Sequence, residues 1–122
     1  VQKSNLFFYV DMLITENRSS FFRSLGQLVE SGQMETLMSV VSLARNLFIR
    51  SFEFDKEQTQ SKKLNLYEKK ILQSTRVFSI ADRLGLVKTF SVLDTRLKMK
   101  SIKAVELESL GKGISLAQLG LV

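Results

Sequence analysis

The chain has 122 residues, 44% of them apolar, with no Cys, His, Pro or Trp and a formal net charge of +6. That length suits one ordinary domain, and the missing thiols and imidazoles exclude a disulfide framework, a thiolate zinc site and histidine acid–base chemistry. The charge is uneven: residues 1–61 carry six Lys/Arg against seven Asp/Glu, whereas residues 62–122 carry twelve against five.

The first predicted helix covers Asn5 to Thr15, with Leu6, Phe7, Phe8, Val10, Leu13 and Ile14 spread over nearly every side. Hydrophobicity all round predicts burial by several neighbours, or contact with a further part of the protein. Asp11 and Glu16, in and just after this apolar run, argue against a secretory signal. No stretch reaches the roughly 18–20 apolar residues of a membrane span.

A second helix, Ser20 to Ser31, aligns Phe21, Phe22, Leu25, Leu28 and Val29, and Gly32 follows in the place of a C-terminal cap. The third, Met34 to Phe54, is the longest. Leu37, Val41, Ala44, Phe48 and Phe52 repeat at helical steps, and Val40, Leu43 and Leu47 widen the stripe. The run "DKEQTQSKK" at 55–63 is polar and unpatterned, a predicted loop at the point where the charge balance changes.

The fourth helix is predicted to start near Asn65, which with Glu68 has the spacing of a capping box. Tyr67, Ile71, Thr75 and Phe78 line one of its sides. The fifth begins at Ser79, with Asp82 in the reciprocal capping position, and carries Leu86, Phe90, Leu93 and Leu97 as its stripe. Gly85 within it costs about 1 kcal/mol relative to Ala, which points to a close helix contact or a kink. From Ala104 onward, Gly111 and Gly113 break the pattern into one or two short helices, including "ISLAQLG". With no β-alternation and no internal repeat, the predicted fold is all-α: a single helical bundle of about five main helices plus short C-terminal helices.

The chemistry-bearing residues form no catalytic motif. There is no phosphate-binding glycine loop and no Gly-x-Ser-x-Gly elbow, so the chain is read as non-enzymatic, without metal, cofactor or small-molecule substrate. Two basic groups stand out. Lys62, Lys63, Lys69, Lys70 and Arg76 form one; Arg96, Lys98, Lys100 and Lys103 form the other. Both are candidate contacts for nucleic acid or for an acidic protein surface. At 100° per residue the second group does not make one narrow stripe, and cations at a helix C-terminus are also favoured by the macrodipole. Residues 65–97 could imitate a helix-turn-helix, but the start of the second helix offers Ile80, Ala81 and Asp82, poor readers of a DNA groove. Phe7, Phe8, Phe21, Phe22, Phe48, Phe52 and Phe54 exceed what a small core readily hides, so the leading physical reading is protein interaction.

The order of these residues resembles the C-terminal helical domain of the delta subunit of bacterial DNA polymerase III. The resemblance runs over residues 6–103. It rests on "FFRSLGQLVESGQMETLMSVVSLARNLF" with Arg45, on "KKLNL" with Asn65 where the family carries Gly, and on "YEKKILQSTRVFSIADRLGLVKTFSVLDTRLKMKS" with Phe78-Ser79 and Asp94 followed at four residues by Lys98. It implies a collar domain of a cytoplasmic clamp loader, a bundle that packs beside equivalent domains of the other loader subunits. Two preceding AAA+-like modules would then belong to a longer parent chain. The alternatives from the residues alone are a basic nucleic-acid-binding module and an unrelated helical adaptor.

Overall fold

A computed structural model of the chain describes residues 3–15, 17–56, 66–99 and 102–121. Among them are six α-helices, one 3₁₀ turn and no strand: α1 (Lys3–Thr15), α2 (Arg18–Glu30), α3 (Met34–Lys56), α4 (Leu66–Ser74), the 3₁₀ turn Thr75–Val77, α5 (Ile80–Lys98) and α6 (Ala104–Gly111). The all-α bundle is the architecture expected from the periodicity.

Local chemistry sets the boundaries. The Asn17 side chain accepts a hydrogen bond from the Ser20 amide at 2.7 Å, so α2 starts at Arg18, two residues before the predicted start at Ser20. At its other end Gly32 adopts φ +73, where a Cβ would be strained, and the Gln33 amide donates back to the Leu28 carbonyl at 2.9 Å. Ser79 caps α5 by accepting from the Asp82 amide at 3.1 Å. Asn65, half of the expected capping box, lies outside the described residues, as do the side chains of Leu6, Phe7, Phe54, Tyr67, Glu68 and Ile71.

α3, 23 residues and ~35 Å long, is the central rod, touching α1, α2, α4 and α5. Its stripe is buried as patterned: Leu37, Val40, Val41, Ala44, Leu47 and Phe48 are at most 2% exposed. The core condenses around Phe90 of α5, whose ring lies 5.8 Å from Phe21, 6.1 Å from Phe22 and 6.3 Å from Phe48. These edge-on and offset pairs are favourable aromatic geometry, and they join α2, α3 and α5 at one point.

On α1, Val10 and Leu13 enter the core, whereas Phe8 is 61% exposed. Of the phenylalanines expected to exceed the core, Phe21, Phe22 and Phe48 are fully buried, Phe52 lies beneath the guanidinium of Arg83 at 5.1 Å and Phe8 is exposed, with the side chains of Phe7 and Phe54 outside the described residues. The close helix contact expected at Gly85 is corrected, because a Cβ built there meets nothing within 4 Å. The close approach occurs between α2 and α6. A Cβ on Gly111 would sit 2.9 Å from Phe22 Cβ and 3.2 Å from Ser19 Cα, and one on Gly26 would sit 3.3 Å from the Ala104 carbonyl oxygen.

The C-terminal region forms one helix rather than two. α6 begins with the Lys103 amide donating to the Glu106 carboxylate at 2.8 Å. "ISLAQLG" forms a hydrogen-bonded turn, closed by Leu119 N to Ser115 O and Leu121 N to Leu116 O, and it tucks Leu116 and Leu121 against the core.

Candidate assembly surface

The bundle deploys the predicted basic residues differently from one another. Lys62, Lys63 and Lys100 lie outside the described residues. Lys69 is half-buried and Lys70 exposed on α4, both bordering an open depression with Leu66 and Gln73; Arg76 is exposed in the 3₁₀ turn. In the second group Arg96 donates from Nη2 to the Gly120 carbonyl at 3.0 Å, pinning the C-terminal turn to α5. Lys103 is exposed at the start of α6. The described members of the two groups therefore sit on α4 with its 3₁₀ turn and at the far end of α5 and the start of α6.

Lys98 belongs to a separate arrangement. Its Nζ lies 3.3 Å from Asp94 Oδ2, and Arg45 Nη1 of α3 lies 3.2 Å from the same oxygen. The Asp94 side chain is only 9% exposed, against 28% for Arg45 and 65% for Lys98. A carboxylate this far from water needs its cation, and Arg45 supplies one from 49 positions away in sequence. The cluster bridges the helix pair α3–α5 and reaches the surface mostly through Lys98, with Arg45 partly exposed.

A second buried charge, Arg83, is 5% exposed; its Nη1 donates to Ser51 Oγ at 3.3 Å and it stacks on Phe52. It too couples α5 to α3. Sequence patterning missed it because an arginine beside an apolar stripe reads as a surface residue.

At the start of α5, Ile80 and Leu84 are 62% and 55% exposed at a spacing of four, and Val77, 71% exposed, ends the 3₁₀ turn that precedes the helix. Ile80 and Leu84 form a short unburied apolar ridge on a side of α5 away from Leu86, Phe90, Leu93 and Leu97. Next to it runs an open groove of about 380 Å³, between α5 and the C-terminal turn, lined by Gly85, Lys88, Leu110, Ile114, Leu116 and Arg18 among others. Arg18 donates from Nε to the Leu110 carbonyl at 3.3 Å, with its guanidinium 5.5 Å from the Phe22 ring centre. Partial burial pushes Arg18 below the usual arginine value, and the negative charge of Asp82 acts in the opposite direction. Neither Arg18 nor Lys88 carried a sequence signal, because they converge only through the packing of α2, α5 and α6.

The described residues contain no group of acidic side chains able to hold a metal ion and no helix long and apolar enough to cross a membrane. No family model, curated protein or solved structure matches this chain.

Proposed function

We propose that this chain is a non-catalytic assembly domain of a bacterial DNA polymerase III clamp-loader delta subunit, a cytoplasmic collar element that packs with other loader subunits. The observation that supports this reading is the cluster formed by Arg45, Asp94 and Lys98. These three residues carry the resemblance from two distant segments, and the fold joins them in one ion-pair arrangement between its two longest helices. A bundle with a phenylalanine core and an unburied apolar ridge on α5 suits a rigid module whose task is contact.

The test is capture. The tagged 122-residue chain is incubated with nuclease-treated lysate of its own source at near-physiological salt, and retained proteins are identified by mass spectrometry. Retention of ATPase subunits of the loader is the expected result. Retention of no replication protein, with binding restored only when nucleic acid is left in the lysate, would overturn the assembly reading in favour of a nucleic-acid-binding module.

A further inference from the structure

The groove beside α5 combines features that select an occupant. Its apolar lining is contributed by Leu110, Ile114, Leu116 and Ala117, and two cations, Arg18 and Lys88, line it without any carboxylate. The exposed side chains of Ile80 and Leu84 stand on the same helix as Gly85 and Lys88. We infer that this groove and the adjoining ridge dock an acidic amphipathic segment of a partner protein, its apolar side chains over Leu84 and Ile114 and a carboxylate between Arg18 and Lys88.

The assignment follows from charge and shape. Arg18 is held by its Nε bond to Leu110 and by the Phe22 ring, which leaves the Nη edge of the fork for a carboxylate in the bidentate manner. Because Arg18 is already partly desolvated, an incoming anion meets a cation that has lost part of its hydration. Asp82 is the acidic group acting on Arg18, and it faces from the first turn of α5. Above Gly85 the space is open, so an approaching backbone can come close to α5 there. Nucleic acid is the poorer occupant. No aromatic ring lines the groove on which a base could stack, and the exposed apolar ridge gains nothing from a phosphate backbone.

The inference rests on the assembly reading only in taking the occupant to be protein, and its test needs no loader subunit. The probe is a synthetic amphipathic helix with Leu on one face and Glu flanking it, titrated into the isotopically labelled 122-residue chain and followed by amide shifts. A second peptide replaces every Glu with Lys, and a duplex DNA of mixed sequence is the third probe. The Glu peptide is expected to shift Gly85, Lys88, Ile114 and Ser115, and to bind at least tenfold more tightly than the Lys peptide. Lys88→Glu, at an exposed position, and Leu84→Glu are each expected to weaken the Glu peptide at least tenfold with the spectrum of the free chain otherwise unchanged. Equal binding of both peptides, shifts confined to other surfaces, or shifts at these amides with DNA alone would overturn the inference. Loader capture with no peptide binding would leave the assembly reading standing and sink this one. Peptide binding with no loader capture would do the reverse.

Discussion

Replacing Gly111 with Ala adds one methyl group and tests the α2–α6 contact directly. The new Cβ meets Phe22 Cβ at 2.9 Å, Ser19 Cα at 3.2 Å and the Ser19 carbonyl oxygen at 3.3 Å. These are atoms at or next to the α2 backbone, so relief requires the two helices to separate rather than a side chain to rotate. Phe22 cannot yield easily, because its ring is stacked on Phe90. Overpacking of this kind costs about 1–3 kcal/mol, offset by a helix-propensity gain of at most about 1 kcal/mol. The net expectation is a destabilisation of ~1–2 kcal/mol. With an unfolding entropy of about 2.1 cal/mol/K per residue, that lowers Tm by roughly 4–8 °C in a chain of this size. Gly85→Ala is the matched comparison: no atom lies within 4 Å, and the residue is exposed in the middle of α5. It should stabilise by ~0.5–1 kcal/mol and raise Tm by roughly 2–4 °C. Thermal unfolding followed by far-UV circular dichroism reads both. If Gly111→Ala were neutral or stabilising, the close packing of α2 on α6 would be wrong.

Asp94→Asn leaves Arg45 half-buried beside a neutral amide and should cost about 1.5–3 kcal/mol in urea unfolding. Lys98→Ala, removing the largely exposed partner, should cost less than about 0.5 kcal/mol; equal costs would refute the assignment of Arg45 as the principal partner. Ser79→Ala should lower stability by about 1 kcal/mol through loss of the cap on the Asp82 amide, with Ser79→Gly costing only a few tenths. Phe90→Ala empties the site where α2, α3 and α5 meet and should cost roughly 3–5 kcal/mol, a large share of the stability of a domain this size; a loss below about 1 kcal/mol would mean that the ring is not central to the core.

What the sequence made legible was the set of stripes. Leu86, Phe90, Leu93 and Leu97 on α5, and Leu37, Val41, Ala44 and Phe48 on α3, repeat at helical spacing and are buried as their pattern requires. Ser79 and Gly32 act as caps for reasons carried in four or five neighbouring residues. What stayed hidden was long-range. A glycine reads identically at positions 85 and 111, yet one faces open space and the other the backbone of α2. Arg18 and Lys88 share a groove only because α2 and α5 meet across the end of α6. In the same way Arg96 and Lys98 look like neighbours of one basic group, but one bonds the Gly120 carbonyl and the other the Asp94 carboxylate. Charge runs report composition, and their use is decided by tertiary partners.

The α2–α6 contact also orders events during synthesis. Arg18 and the Leu110 carbonyl it binds are 92 positions apart, so closing that contact spans most of the chain, and distant contacts form slowly. α1, α2 and α3 are consecutive and can associate early. The side of α2 that carries Gly26 nevertheless has no neighbour until α6 has been made. α6 itself, eight residues long, is too short to persist alone in water and must take shape as it docks. Completion of this bundle therefore waits on residues 104–111, and until they emerge from the ribosome the growing chain presents part of its future core to the solvent.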